Sequence, residues 1–124
     1  MESIPAVATP PLRWRWLPWP HSHKLALPVK KFTSNLGISG LALVRGRRLD
    51  ILAVYADQPG RGQCRAFVAA CKRRYDTITV WGVWSPILEA ALLRWSFTVI
   101  EEWHFHPDSQ YEFAKGYRWT RPTG

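Results

Sequence analysis

The 124-residue sequence predicts a single domain of the α/β class, an α+β mixed sheet with helices packed on it. Three observations carry this. Two short apolar runs, 40–44 and 49–56, flank Arg45-Gly46-Arg47-Arg48 and read as a hairpin. Strand-like and helix-like periodicity then alternate through residue 106, which implies crossovers and parallel pairing. With 47% hydrophobic and 21% charged residues, the chain can bury one modest core and no second one.

Taken in order, residues 1–31 form a Pro/Trp-rich basic arm and 32–124 the regular domain. Prolines recur from Pro5 to Pro28 and exclude helix interiors and central strands. Arg13-Trp14-Arg15-Trp16 alternates as a strand does, so one short strand is expected near 12–17. After the hairpin, 57–62 breaks the chain, and 63–75 has helical spacing with Cys64, Val68, Cys71 and Tyr75 on one stripe. Residues 77–84 are β-branched and aromatic and read as a strand. Ser85-Pro86 is a helix start, Ser as N-cap and Pro at the first helical position. Residues 97–106 and 111–119 then pair as antiparallel strands. Trp81, Trp84, Trp95 and Trp103 are placed for the core.

The formal charge is +8, from 17 Lys and Arg against 9 Asp and Glu, which favours anionic partners such as nucleic acid, a phosphorylated cofactor or an acidic protein face. Cys64 and Cys71, seven apart on one helix, stand about 10 Å apart along it and cannot form a disulfide. Free thiols point to a reducing, cytoplasmic setting. No signal-like or membrane-spanning apolar run is present, so no membrane role is expected.

The chemistry concentrates at Pro59-Gly60-Arg61-Gly62-Gln63-Cys64. A glycine turn between a strand and a helix lets backbone N–H groups point at an anion, and Arg61 and Arg65 stand beside it. The turn is neither a Walker A loop nor the dinucleotide fingerprint, because no Gly-Lys-Ser/Thr follows and the third glycine is absent. The stretch from Leu52-Ala53-Val54 through Cys64 resembles, without a gap, the acetyl-CoA motif of the GNAT acyl-CoA N-acyltransferases: a strand, a short acidic loop, then Arg/Gln-x-x-Gly-x-Gly/Ala opening a helix. Pro59 stands where Arg or Gln is usual, and Cys64 where Gly or Ala is usual. Downstream, Ser85-Pro86, Leu92 and Ser96-Phe97 resemble the family's Asn-Pro…Tyr…Gly-Phe pattern.

The resemblance covers about residues 37–119 and implies a GNAT-like mixed sheet flanked by helices, with the family's N-terminal helices reduced or absent. It implies acetyl-CoA or another acyl-CoA as cofactor. It places binding at Leu52, Ala53, Val54, Gly60, Arg61, Gly62, Gln63, Cys64, Arg65 and Ser85. It implies direct attack of an amine acceptor on the thioester. The family's acid, a Tyr on the second helix, falls on Leu92 here. The alternative is a catalytically inactive module that binds or inhibits a protein or nucleic-acid partner.

Two carboxylates are catalytic candidates. Asp50, two and four residues before Leu52 and Val54, is expected on their strand face and able to act as a base through water. Glu101 and Glu102 point to opposite faces, and Glu101 is the second candidate. Cys64 at a helix N-terminus is expected to have a lowered pKa, or else to be a small packing residue. His21-x-His23 and His104-x-His106 lack a third ligand at matching spacing, so no metal is expected. In the arm, Trp14, Trp16 and Trp19 alternate with Arg13, Arg15 and Lys24, which suits stacking on nucleic acid or contact with an acidic protein; the plainer reading is that the aromatics cover the sheet edge.

Overall fold

The computed structural model describes residues 12–17, 29–83, 85–106 and 110–123. In chain order these form β1 (Trp14–Leu17), β2 (Lys30–Ser34), β3 (Ile38–Arg45), β4 (Arg48–Ala56), α1 (Gln63–Arg74), β5 (Thr77–Trp81), α2 (Pro86–Arg94), β6 (Thr98–His106) and β7 (Gln110–Thr120). The strands make one seven-stranded mixed sheet in the order β1-β2-β3-β4-β5-β7-β6. β1 to β4 form an antiparallel meander, β4 and β5 are parallel, and β7 returns antiparallel between β5 and β6. The expected hairpin, the strand near 12–17, the crossovers and the closing antiparallel pair are all present. Among the described residues no helix precedes α1, and residues 1–11 and 18–28 lie outside them. No described helix is long and apolar enough to cross a membrane.

Local chemistry sets the element ends. Gly46, with φ 61°, closes the tight turn between β3 and β4. Ser85 caps α2 by accepting the Leu88 N–H at 3.3 Å, with Pro86 in the first turn. α2 ends where the Phe97 N–H donates to the Leu92 carbonyl and Ser96 takes φ 73°. That left-handed position suits glycine, and a Cβ there is strained.

Both helices pack on one sheet face. Phe32 of β2 stacks on Phe67 of α1, centroids 5.8 Å apart and rings 3° from parallel. Leu49, Ile51, Ile78, Val80 and Leu92 fill the space between. The Lys72 ammonium donates to the Trp95 carbonyl and sits 5.4 Å and 5.2 Å from the Phe97 and Trp119 ring centres. Burial lowers its pKa.

Three expectations need correction, and one strand is new. The strand expected over 77–84 stops at Trp81, because Gly82 turns the chain with φ 65°. The helix stops at Arg74, with Tyr75 already extended. β2 was not foreseen, since its lysines hide the alternation around Phe32. Trp103 is not core: it is 67% exposed on edge strand β6, packed edge-on against Phe113. Trp84 lies outside the described residues.

Two outcomes follow. Ser96→Gly removes the left-handed strain and is expected to stabilise the fold by about 1 kcal/mol, read from a urea melt. Asp76 is held down to about 2 by hydrogen bonds from Arg47 and Arg121. Its folded pKa lies below the ordinary carboxylate value, so its contribution is complete above that value and is lost as pH falls toward 2. Asp76→Asn should flatten the fall of stability below about pH 4 relative to the unaltered chain.

Candidate functional site

The site grows from one irregularity in β4. Leu41 of β3 pairs with Ala53 and Ala42 with Ile51, so Leu52 is an extra residue in β4. Across this bulge the backbones come so close that a Cβ on Gly40 would stand 1.9 Å from the Ala53 carbonyl oxygen. The bulge changes which side chains share a face. Ile51 and Val54, three apart, line one apolar recess with Cys64, Phe67, Val80 and Leu92. The expectation that Asp50 shares a face with Val54 therefore fails: regular alternation ends at Leu52.

β4 and β5 also part here. Their parallel pairing runs only from Arg48↔Thr77 to Ile51↔Val80. Beyond it, among the described residues, residues 52–56 have no ladder on the β5 side, and β5 itself ends at Trp81. The strands diverge toward their C-terminal ends, with the apolar recess between them on the helix face.

Residues 57–62 cross the open end to α1. Gly60 and Gly62 adopt φ 80° and 77°, and a Cβ on either would meet nothing within 4 Å. Gly62 is the N-cap of α1, with no side-chain cap and no acid in the first turn. The leading N–H groups of α1 are thus available to an anion. Gln63 holds the loop from within: its Oε1 accepts the Gln58 N–H at 2.8 Å, and its amide packs so tightly on Gly37 that a Cβ there would lie 2.0 Å from Nε2. Asp57 N–H donates to the Gly37 carbonyl at 2.8 Å and completes the clamp. Arg61 and Arg65 are exposed beside the turn. Between the helices a groove of about 310 Å³ is lined by Arg65, Lys72, Arg94 and Trp95.

The other expected site residues have definite places. Leu52, Ala53 and Val54 lie at the bulge, half-buried. Ser85 is occupied as the α2 cap. Cys64 does not have a lowered pKa. It is partly buried beside Phe67 and Val80, and that burial pushes its thiol up. Glu101 is exposed on β6, opposite Lys115 on β7. His104 and His106 lie in β6, but their side chains, like His21 and His23, fall outside the described residues.

Asp50 sits in a different environment from the one expected. It is only 3% exposed and accepts the Trp81 indole N–H at 3.2 Å, together with Arg45 and Arg48, each at 3.2 Å. Gly116 lies flat under Trp81, where a Cβ would be 2.7 Å from the ring. On the same face Arg118 spans Glu102, at 2.7 Å and 3.0 Å, and Thr79, at 2.9 Å. The Arg118 guanidinium holds the Glu102 carboxyl below its usual value.

Sequence reasoning missed one cluster. The Tyr117 hydroxyl donates to Glu89 of α2, and Lys115 reaches the same oxygen at 3.3 Å. Burial raises the Tyr117 pKa, while the two donors lower that of Glu89. Alternation on the last strand puts Lys115 and Tyr117 on one face, but nothing in the sequence brings Glu89 to them.

Removing the Asp50 carboxylate tests the buried network. Asp50→Ala leaves the indole N–H and two guanidinium groups without their acceptor and is expected to destabilise by about 1–3 kcal/mol, with a changed Trp emission spectrum in the folded state. An unchanged melt and spectrum would show that this network holds nothing.

No family model matches the chain, and no curated protein matches it. Among solved structures, the chain is similar to a Bacillus subtilis acetyltransferase in complex with CoA, with 16% identity and a TM-score of 0.42, over 86% of this chain and 95% of that one.

Proposed function

We propose that the chain binds acetyl-CoA or a related acyl-CoA and transfers the acyl group to an amine. The observation that carries this reading is the parting of two parallel strands beside an apolar recess, directly ahead of an uncapped helix N-terminus with two left-handed glycines. Each part answers a part of an acyl-CoA. The pyrophosphate is taken by the leading N–H groups of α1 near Gly62, Gln63 and Cys64, with Arg61 and Arg65 adding charge. The pantetheine chain runs along the unpaired edge of β4 at Leu52, Ala53 and Val54, where backbone groups left by the parted ladder hydrogen-bond its amides. The adenosine end with its 3′-phosphate turns toward the basic groove at Arg65 and Arg94.

In this reading the thioester carbonyl lies at the splay, polarised by a β4 backbone N–H, and the neutral amine attacks it directly. The carbon–sulfur bond breaks, the amide forms, and the thiolate takes a proton. Leu92, at the position of the family's Tyr, is buried against the recess and supplies none. Solvent at the open end is then the proton donor. Glu101, exposed and level with the splay, is the candidate base, acting through water. Asp50 acts through Trp81, fixing the indole at the end of β5 where the parallel pair parts.

The same Leu92 favours a second reading, in which the cofactor or a partner is bound without turnover. The two readings part in one assay: both bind CoA, and only the first releases free thiol from acetyl-CoA in the presence of amines.

Calorimetric titration with CoA is expected to give a micromolar dissociation constant. Gly62→Val should weaken it at least tenfold, because the side chain stands where the pyrophosphate goes. Gly46→Val is the control: Gly46 shares the left-handed backbone and open surroundings but lies at the other end of β4. Equal loss in both variants would mean strain alone. No heat at millimolar CoA from the folded protein would overturn the reading.

A further inference from the structure

We infer that the end of the sheet opposite the glycine turn is a binding surface for the phosphate backbone of nucleic acid. Three segments distant in sequence meet there. The β3–β4 turn brings Arg45, Arg47 and Arg48. The last turn of α1 brings Lys72, Arg73 and Arg74. Arg121 follows β7. Their juxtaposition is fixed by hydrogen bonds: Asp76 N–H donates to the Arg47 carbonyl at 2.8 Å, and Arg121 N–H to the Asp76 carbonyl at 2.7 Å. The Arg121 guanidinium also caps α1 by donating to the Lys72 and Tyr75 carbonyls at 2.6 Å and 3.0 Å.

The surplus of charge is large. The seven cations face two carboxylates, Asp50 and Asp76, leaving five of the chain's eight net positive charges at one end. Of the other described acids whose side chains are placed, Asp57 lies before α1, Glu89 on α2 and Glu101 on β6, while Glu102 on β6 is held by Arg118 and also feels the charge of Arg48. Six of the seven cations are arginines, whose planar forks match phosphate oxygens two at a time. Asp76 holds Arg47 at 2.7 Å and Arg121 at 2.8 Å, so these two guanidinium groups are fixed in place before any ligand arrives and would meet a phosphate with the N–H groups not spent on Asp76 and the α1 carbonyls. Among the described residues, the exposed large apolar side chains lie on β1, the end of β4, α2, β6 and β7, and none belongs to these three segments. An inserting membrane contact would call for such side chains; a phosphate backbone does not. Contacts of this kind carry no base recognition, so binding is independent of sequence.

The inference stands apart from acyl transfer, since the cofactor loop is at the other end of β4, and only Lys72 is shared, lining the groove given to the adenosine end while its ammonium is held by the Trp95 carbonyl. The test uses the full chain and a fluorescein-labelled mixed-sequence DNA duplex, with a single-stranded RNA of equal length, followed by anisotropy across a salt series. Both should bind at low salt. Arg47→Gln, Arg73→Gln and Arg74→Gln together should weaken binding at least tenfold and reduce the slope of log K against log salt on the duplex by about 2–3. If the triple variant fails to fold by circular dichroism, Arg73→Gln alone, on an exposed helix position, should show a smaller loss in the same direction. Arg61→Gln with Arg65→Gln, at the cofactor end, should leave the affinity unchanged. The inference is overturned if the folded pole variant binds as tightly as the unaltered chain, if the cofactor-end variant loses as much, or if neither nucleic acid binds while vesicles with anionic headgroups do.

Discussion

The close approach of Gly40 to the Ala53 carbonyl is the constraint on which the rest depends. A Cβ at Gly40 would stand 1.9 Å from that oxygen, so β3 can accept the extra residue of β4 only where it has no side chain. The extra residue re-aims everything after it. Without the bulge, Ile51 and Val54 would face opposite ways; with it they share the recess under α1. The bend also carries the second half of β4 out of reach of β5, whose ladder ends at Ile51↔Val80. A cleft at the C-terminal ends of parallel strands is where open α/β sheets receive ligands.

The two faces of the sheet answer to different physics. On the helix face, packing decides, with stacked rings and aliphatic side chains closing on the recess. On the other face, buried polar groups decide. Asp50 and Thr79 are nearly inaccessible, and both are satisfied, one by Trp81, Arg45 and Arg48, the other by Arg118. A buried carboxylate without such donors would be costly. Here it ties β3, β4 and β5 together, and the Glu102–Arg118–Thr79 chain does the same for β6, β7 and β5. The splay is therefore bounded by strands that cannot slide.

How much of this was legible in the sequence follows from range. Signals that act within a few residues were readable: Ser85-Pro86 as a helix start, the glycine turn ahead of Gln63, the basic turn between two apolar runs. Those that depend on a partner strand were not. Nothing near Leu52 marks it as the extra residue, because the mark is Gly40, twelve positions earlier and one strand away. Asp50 was misplaced for that reason alone. For Cys64 the sequence left two readings, and burial, which a helix N-terminus alone does not reveal, decides for the packing residue. β2 was missed because Lys30 and Lys31 precede a single buried Phe32. The Glu89–Tyr117–Lys115 cluster joins a helix and a strand that only the crossover brings together.

The distribution of charge along α1 is the last step. A helix dipole favours anions at its N-terminus and cations at its C-terminus, and α1 meets both preferences, with an open, acid-free first turn and Lys72, Arg73 and Arg74 in the last. One or two basic side chains satisfy that preference, since it fades beyond the final turn. The dipole does not account for Arg45, Arg47, Arg48 and Arg121, which lie on strands and turns. Pairing a carboxylate takes one arginine, yet Arg47 and Arg121 both engage Asp76, and Asp50 likewise holds two. Like charges gathered at one end of a small domain repel one another and oppose the compact state. The fold tolerates that repulsion at the closed end of the parallel pair, away from the open end with its uncapped helix N-terminus, so the proposed cofactor site and the proposed phosphate surface lie at opposite ends of β4.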